Sequence, residues 1–399
     1  MKYIILVLDG MADYPLEELG KRTPLEIART PNMDFIAQNG IVGTAAMIPA
    51  NMSSGSDVAT LSILGYDPKK YYTGRGPLEA ANMGIELDKD DVVFRCNLVT
   101  VENEHMVDYS AGHISTNEAH GLISFLEKEL GSDSVKFYPG VSYRHLVVIK
   151  DTNGFDDLNR ITCTPPHDIT GQDITNFLPR GKGCESLIRL MRSSKPLLEK
   201  HEINNVRIDL KENPANMIWL WGQGSKPDIP GFYERHGLNG AAISAVDLVK
   251  GIARIMGWKV IDVPGATGYY DTDYMAKAKY GLNALKENDL VFIHVEAADE
   301  ASHNGDLRAK INAIENFDKL VAGTVLNGLK RHKNYRVWVL ADHVTSIVKK
   351  THTRDPICFA MYGKGIQPGG ILKFNEKFAA QSQLKFDKGY KVMDYFLKT

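Results

Sequence analysis

Carboxylate and imidazole side chains follow apolar segments of this chain at positions that suit metal binding. Asp9 comes directly after the apolar segment Tyr3–Leu8, and the pair Asp342 and His343 follows Arg336–Leu340. In open α/β sheets, ligands bind beyond the carboxyl ends of the strands. An acid that ends a buried strand is therefore a candidate ligand, although an aspartate in a turn or at a helix N-cap has the same signature.

A second group of candidate ligands follows the segment Leu290–Val295. Asp299 and His303 are four residues apart, a spacing that puts both side chains on one face of a helical turn. His352 lies ten residues after Asp342. Mixed carboxylate and imidazole ligands suit Mn²⁺ or Zn²⁺, whereas Mg²⁺ prefers oxygen ligands alone. Each histidine alone is more often a surface or core residue, but the set predicts a metal site.

The candidate nucleophile is Ser56. Small residues precede it and a helix-like segment, Asp57–Leu64, follows it, so its hydroxyl would lie beside free backbone N–H groups that can hold a phosphate. A serine hydroxyl needs activation, which a metal ion supplies by lowering its pKa, while a second ion about 3.5–4 Å away clamps the phosphoryl oxygens. An ordinary N-cap serine is the alternative interpretation. Spacing alone does not exclude three neighbouring serines, Ser53, Ser54 and Ser62.

The apolar segments predict the scaffold that positions these residues. Continuous β-rich runs are typical of strands buried on both faces. Helix-like segments lie between the later runs, and this alternation predicts an α/β fold with helices on both faces of a sheet. The predicted strands are Tyr3–Leu8, Ala241–Ser244, Lys259–Val263, Leu290–Val295 and Arg336–Leu340, and the predicted helices are Val246–Met256, Tyr274–Lys286 and Ala309–Arg331.

The middle of the chain has a different pattern. Short strand-like segments, Val92–Thr100 and His145–Ile149, replace the alternation, and turn-rich stretches interrupt them. This change predicts an α+β domain, residues 80–213, inserted into a discontinuous core of residues 1–79 and 214–399.

Composition narrows the classes of function. The 399-residue chain carries a net charge of −2, so no basic field indicates a nucleic-acid or membrane partner. Its apolar runs are too short to span a membrane, and we expect a cytoplasmic protein. The four cysteines form no CxxC pair, which argues against a disulfide scaffold or a zinc knuckle. The oligomeric state stays open.

Several motifs, spread over nearly the whole chain, resemble one family. The chain resembles the alkaline-phosphatase superfamily and, within it, the archaeal-type cofactor-independent (2,3-bisphosphoglycerate-independent) phosphoglycerate mutases. The segments that carry this resemblance are Val7–Gly10, Gly55–Val58, Leu61–Pro68, Tyr72–Ala80, Phe94–Asn97, Trp221–Gly224, Ala242–Asp247 and Asp342–His343.

The resemblance implies an alkaline-phosphatase-like core sheet, an inserted lid domain and two divalent metal ions. Mn²⁺ is the first expectation, with Mg²⁺ or Zn²⁺ as alternatives, and no bisphosphoglycerate is needed. Ser56 would carry the phosphoryl group while 3-phosphoglycerate and 2-phosphoglycerate interconvert, and the lid would exclude water. One ion would be held by Asp299, His303 and His352, and the other by Asp9, Ser56, Asp342 and His343.

A small phosphorylated acid also needs cationic partners, for which arginine is the preferred bidentate residue. The candidates are Arg75, Arg95, Arg144 and Lys250, each of which is otherwise an ordinary surface charge.

The predicted lid departs from the family at one stretch. An arginine-rich segment is expected near Val107–Ile114, yet this chain has Tyr109, Ser110 and His113. Two other lid segments resemble a bacterial branch with proposed homoserine kinase activity, so a phosphotransferase on another small hydroxy acid is an alternative. No GxxxxGK[ST] motif indicates ordinary ATP chemistry. A phosphatase or sulfatase, or a binding protein without activity, are the remaining alternatives.

Overall fold

The computed structural model describes residues 1–150 and 158–398, which divide into two compact units. The core unit comprises Met1–Tyr72 and Asp228–Thr399, and the insert unit comprises Thr73–Pro227. Among the described residues, no helix has the length and apolar character needed to cross a membrane.

The elements are numbered along the chain. The strands are β1 (Lys2–Leu8), β2 (Ile41–Ala45), β3 (Asp91–Glu102), β4 (His105–Asp108), β5 (Val135–Val141), β6 (Arg144–Lys150), β7 (Met217–Ser225), β8 (Gly240–Ile243), β9 (Lys259–Val260), β10 (Leu290–Val295), β11 (Tyr335–Leu340), β12 (Val344–Ser346), β13 (Thr351–Thr353), β14 (Ile357–Gly363) and β15 (Lys385–Phe386). The helices are α1 (Pro24–Ile27), α2 (Pro31–Asn39), α3 (Ser56–Ile63), α4 (Pro68–Tyr71), α5 (Arg75–Asn82), α6 (Thr116–Leu130), α7 (Cys184–Leu198), α8 (Glu202–Asp209), α9 (Phe232–His236), α10 (Asp247–Ile255), α11 (Tyr274–Ala284), α12 (Ala297–Asn304), α13 (Leu307–Asn316), α14 (Gly323–Leu329), α15 (Glu376–Ala379) and α16 (Val392–Lys398).

The core unit contains one eight-stranded sheet in the order β15-β2-β14-β11-β1-β10-β8-β9. β1 runs parallel to both β10 and β11, and β10 runs parallel to β8. β14 is antiparallel to β11 and to β2, so the sheet is mixed. Four of the apolar segments read from the sequence form β1, β8, β10 and β11 in the interior of the sheet, and their side chains are buried because helices cover the sheet. The prediction of a buried strand at Lys259–Val263 was wrong, because only Lys259–Val260 pairs and it forms the edge strand β9, where Lys259 is exposed.

The register of the central strands decides where their polar successors lie. Leu8 pairs with Val295 and Val7 pairs with Leu340, so β1, β10 and β11 end at nearly the same level. The residues that follow these three strands therefore meet at one edge of the sheet.

The predicted helix Ala309–Arg331 begins slightly earlier than predicted and consists of α13, a π-helical stretch and α14. In the π-helical stretch (Phe317–Ala322), the buried carboxylate of Asp318 accepts hydrogen bonds from the backbone N–H groups of Asn32 and Met33, at 3.3 and 2.7 Å. These groups belong to the first turn of α2, whose N-cap residue Thr30 makes no side-chain cap. Asp318 thus caps α2 from a distant part of the chain.

The insert unit is built on one antiparallel sheet. Its order is β4-β3-β6-β5, and β7 pairs with the other edge of β3. α6 and α7 pack on the sheet over an apolar cluster that includes Leu122, Leu187 and Trp219. α5 also packs on β3 and β7. The packed unit comprises Thr73–Pro227, and the change of sequence pattern predicts an inserted domain of residues 80–213.

Replacing Asp318 with alanine should destabilise the core unit. The substitution leaves two backbone N–H groups of α2 without their acceptor, which should lower the free energy of unfolding by about 1–3 kcal/mol. Chemical denaturation monitored by circular dichroism measures this change. The matched control is Glu17→Ala, since the Glu17 carboxylate is 87% exposed and lies 3.9 Å from Lys21. Equal stability of the two variants would contradict the capping role.

Candidate active site

The segment after β1 places Asp9 next to the candidate ligands Ser56 and His343. The Asp9 N–H donates to the Val295 carbonyl at 2.8 Å, which continues the parallel ladder by one step. Gly10 then turns the chain with φ +64°, and a Cβ there would lie 2.6 Å from the Cα of Asp299. Its N–H donates to Asp342 Oδ1 at 3.2 Å. Only glycine combines this backbone conformation with so close an approach.

α12 carries Asp299 and His303 one helical turn apart, as the spacing predicts. His303 Nε2 lies 3.1 Å from Asp299 Oδ2, and its Nδ1 contacts the Lys350 carbonyl at 3.0 Å. The hairpin of β12 and β13 brings in His352, whose Nε2 lies 3.3 Å from Asp299 Oδ1 and 2.9 Å from His303 Nε2. Two imidazole nitrogens this close to each other and to a carboxylate require a proton or another cation between them.

Ser56 opens α3 and contacts the second group of ligands. Its hydroxyl donates to Asp9 Oδ2 at 3.0 Å, and its Oγ lies 3.2 Å from His343 Nε2. His343 Nε2 is also 3.2 Å from Asp342 Oδ2 and 3.4 Å from Asp9 Oδ1. Two of the alternative serines donate to backbone carbonyls and not to ligand side chains, Ser54 to that of His352 at 3.3 Å and Ser62 to that of Met47. Ser56 is therefore the serine that the geometry places against the candidate ligands.

The carboxyl groups of Asp9, Asp299 and Asp342 lie in a buried region, where ionisation of an acid is unfavourable. Asp9 and Asp342 are fully buried, and Asp299 is 5% exposed. Burial, followed by the nearby carboxylates of Asp342 and Asp299, raises the pKa of Asp9 well above its usual range. Burial also raises the pKa of Asp299, but hydrogen bonds from His303 and His352 outweigh it and hold that pKa well below the usual value.

Two carboxylate oxygens in this region have no hydrogen-bond partner among the described residues. They are Asp9 Oδ1 and Asp342 Oδ2, and each is buried from solvent. An unpaired buried anion is costly, and a metal ion satisfies both its charge and its lone pairs. Ligand atoms of Asp9, Asp342 and His343 lie within 4.8 Å of one another, as do those of Asp299, His343 and His352. The donor set therefore fits two divalent cations.

His294, on β10, is a neighbour of this site that our sequence reading missed. Its Nε2 lies 3.3 Å from Asp9 Oδ2 and its Nδ1 lies 3.3 Å from the Ser244 hydroxyl. Complete burial lowers the pKa of His294 to about 4, so the ring is neutral. The available signal was a histidine inside an otherwise apolar strand, next to the strand that ends at Asp9.

Glu296 and Thr345 were missed as well. Burial, followed by the charge of Asp299, raises the pKa of Glu296 to about 8. Thr345 Oγ1 lies 2.6 Å from Asp299 Oδ1 and 3.0 Å from His343 Nδ1. A threonine two residues after a histidine carries no signal in the sequence, since its contacts depend on the hairpin that follows.

The arginines and the lysine that the sequence predicts to bind the substrate have different surroundings. In the insert unit, Arg95 is nearly buried, pairs through Nε with Glu79 at 3.0 Å and stacks on Trp221 at 4.1 Å from the ring centre. Arg144 begins β6 and lies over Tyr143, and Arg75 begins α5. In the core unit, Lys250 on α10 lies 3.5 Å from Asp262.

The residues that depart from the family pattern form part of an aromatic cluster in the insert unit. The Tyr109 ring packs edge-on against Tyr143 and His167, at centroid distances of 5.8 and 6.0 Å. His113 packs against Tyr143 at 6.1 Å. Ser110 instead closes a turn by donating to Asp108. All three belong to the insert unit, whereas the seven candidate metal-site residues belong to the core unit.

Known proteins resemble this chain over its full length. A family model described as 2,3-bisphosphoglycerate-independent phosphoglycerate mutase matches residues 37–204. A protein of that name from Methanosarcina acetivorans is 50% identical, with 100% of both chains covered. A probable member from Geobacter sulfurreducens is 47% identical, again over 100% of each chain.

Solved structures agree with the sequence comparison. A protein from Pyrococcus horikoshii superposes with a TM-score of 0.84 and 31% identity, covering 99% of this chain and 96% of its own. A cofactor-independent phosphoglycerate mutase from Thermoplasma acidophilum superposes with a TM-score of 0.68 and 27% identity, covering 100% and 99%. With half of its residues identical to a relative along the entire length, this chain belongs to the family of 2,3-bisphosphoglycerate-independent phosphoglycerate mutases.

Proposed function

We propose that this protein interconverts 3-phosphoglycerate and 2-phosphoglycerate, with Ser56 carrying the phosphoryl group between the two hydroxyls. The observation that carries the proposal is the position of the Ser56 Oγ, 3.0 Å from Asp9 Oδ2 and 3.2 Å from His343 Nε2, at the N-terminus of α3. Full-length identity of 50% to a relative named as such a mutase favours this reaction over homoserine phosphorylation or simple hydrolysis.

The transfer balances without any further reactant. Ser56 Oγ forms a bond to phosphorus as the bond from phosphorus to the substrate's O3 breaks, and the proton that Ser56 loses is matched by the proton that O3 gains. Asp9 Oδ2, which already accepts the hydroxyl hydrogen, is placed to hold that proton. The second transfer, from Ser56 to O2, restores the serine. The N-terminus of α3 favours the negative charge of the phosphoserine.

The proposed metal ligands are those that the family resemblance indicates. Asp299, His303 and His352 would hold one ion, and Asp9, Ser56, Asp342 and His343 would hold the other. Bound divalent ions supply a lowered pKa for the serine hydroxyl and neutralise the phosphoryl oxygens. His343 belongs to both groups of closely spaced ligand atoms, so its imidazole would be within reach of either ion. Mn²⁺ is the proposed metal, with Mg²⁺ or Zn²⁺ as alternatives.

The substrate's carboxylate and phosphate require cations. We assign this role to Arg75, Arg95, Arg144 and Lys250. The ion pair with Glu79 and the stacking on Trp221 orient the guanidinium of Arg95.

Ser56→Ala should abolish turnover while metal binding largely persists, because the other six proposed metal ligands remain. The variant loses the atom that takes the phosphoryl group, so the rate should fall by more than about 10³-fold. Formation of 2-phosphoglycerate from 3-phosphoglycerate, with Mn²⁺ and without bisphosphoglycerate, measures it through an enolase-coupled assay. Ser53→Ala, at an exposed neighbouring serine, is the matched control and should keep full activity. Substantial turnover by Ser56→Ala would remove the serine from its role.

Metal affinity should rise with pH in the neutral to alkaline range. A hydrogen bond with Asp299 raises the pKa of His303 to about 9, so the ring is protonated near neutral pH and must lose that proton to bind an ion. The apparent affinity for Mn²⁺ should therefore increase up to about tenfold per pH unit and level off above about pH 9.

Isothermal titration of Mn²⁺ into chelator-treated protein, in buffers of different ionisation enthalpy, counts the protons released. The exposed His105 provides the control, since His105→Gln should leave the pH dependence unchanged. An affinity that stays flat or falls as pH rises would contradict the assignment of His303 as a ligand.

A further inference from the structure

The side chain of Thr345 links the two proposed metal-binding groups. Its Oγ1 lies 2.6 Å from Asp299 Oδ1, which belongs to one group, and 3.0 Å from His343 Nδ1, which belongs to the other. Thr345 is completely buried, so water does not compete for these contacts. We propose that Thr345 is a positioning residue whose hydroxyl holds His343 in the tautomer with hydrogen on Nδ1.

The number of hydrogens on Thr345 decides which atom donates in each of its contacts. A threonine hydroxyl has one hydrogen to donate and lone pairs with which to accept. The shorter of the two Thr345 contacts, 2.6 Å, is the one to Asp299 Oδ1, and the Thr345 hydroxyl donates in it to the carboxylate oxygen. The Thr345 hydrogen therefore goes to Asp299 Oδ1. His343 Nδ1 has to be the donor in the remaining contact, because the hydroxyl has no second hydrogen.

This tautomer leaves a lone pair on His343 Nε2. That nitrogen lies 3.2 Å from Ser56 Oγ, 3.2 Å from Asp342 Oδ2 and 3.4 Å from Asp9 Oδ1, so a cation bound to it would also be within reach of these oxygens. A lone pair there can bind a cation, whereas a hydrogen on Nε2 would block it. The Thr345 hydroxyl thus sets which His343 nitrogen is available on the side of the nucleophile.

A buried lysine keeps Thr345 in place. Lys310 Nζ donates to the Thr345 carbonyl at 2.7 Å and to Asp13 Oδ2 at 2.8 Å, and it contacts the Ala12 carbonyl at 3.4 Å. The Thr345 N–H also donates to the Ala12 carbonyl at 3.2 Å. These bonds tie β12 to the segment that follows Asp9 and Gly10. The backbone that carries the hydroxyl is therefore held on both sides of the site.

The tautomer can be observed directly in metal-free protein. Long-range ¹H–¹⁵N spectra of histidine-labelled protein at mildly alkaline pH distinguish the two tautomers, and a His343→Gln sample assigns the signals. Wild type and Thr345→Ser, which keeps the hydroxyl, should show hydrogen on Nδ1. Thr345→Val, which keeps the shape and loses the hydroxyl, should shift His343 toward the other tautomer. Thr60→Val is the matched control, because Thr60 is also fully buried and its hydroxyl has no hydrogen-bond partner among the described residues.

The spectra decide the proposal without reference to turnover. Hydrogen on Nε2 in the wild type, or an unchanged Nδ1 signature in Thr345→Val, would overturn it. If Thr345→Val does not fold, the wild type and Thr345→Ser still decide, since hydrogen on Nε2 in either one contradicts the assignment. The spectra do not depend on the reaction that the protein catalyses. The tautomer proposal can therefore hold even if the proposed mutase reaction is wrong.

The consequence for metal binding rests on the proposed function and has a separate measurement. Removing a group that orients a metal-binding histidine typically lowers affinity by about 10–100-fold. Electron paramagnetic resonance of free Mn²⁺ should show this loss for Thr345→Val, with recovery in Thr345→Ser and no loss in Thr60→Val. Wild-type affinity in Thr345→Val would show that the hydroxyl does not act through His343.

Discussion

Three carboxylates, those of Asp9, Asp299 and Asp342, lie buried together at the edge of the core sheet, and the surrounding structure compensates their charge. Burial, followed by the charges of the neighbouring carboxylates, raises the pKa of Asp9 well above its usual range. Asp299 keeps its charge through hydrogen bonds from two histidines. Asp9 and Asp342 retain oxygens without a hydrogen-bond partner among the described residues. Carboxylates buried in this way carry an electrostatic cost, which a bound cation would relieve.

Residues that are not candidate ligands stabilise the buried carboxylates and their backbone through hydrogen bonds. Thr345 and Lys310 connect the segments after β1 and β11, so the ligand groups share one support. Lys310 is fully buried with Asp13 2.8 Å away. Its ammonium also contacts the Ala12 and Thr345 carbonyls, and Asp13 Oδ2 accepts a hydrogen bond from the Ile347 N–H. A fully satisfied buried network of this kind rigidifies its surroundings. Rigid support matters because metal ligands and a nucleophile must keep their geometry while the phosphoryl group moves.

The candidate metal-site residues and the residues that depart from the family pattern lie in different units. All seven candidate metal-site residues belong to the core unit, while Tyr109, Ser110 and His113 belong to the insert unit. In the insert unit, Arg95 is buried against Trp221 and paired with Glu79, so its orientation is set by packing. Substitutions in the aromatic cluster of that unit leave every candidate metal ligand unchanged. The departures from the family pattern and the candidate metal ligands therefore lie in different units of the chain.

The sequence by itself determined the central strands, the α/β class and the residues that end those strands. Continuous apolar runs followed by Asp9 or by Asp342 and His343 are readable because burial and strand ends leave local signals. The four-residue spacing of Asp299 and His303 was equally local. Tertiary structure decided the antiparallel placement of β14, the limits of the insert unit and the roles of His294, Thr345 and Lys310. These depend on contacts between segments far apart in the chain, such as Lys310 with Asp13, and no short-range pattern in the sequence encodes them.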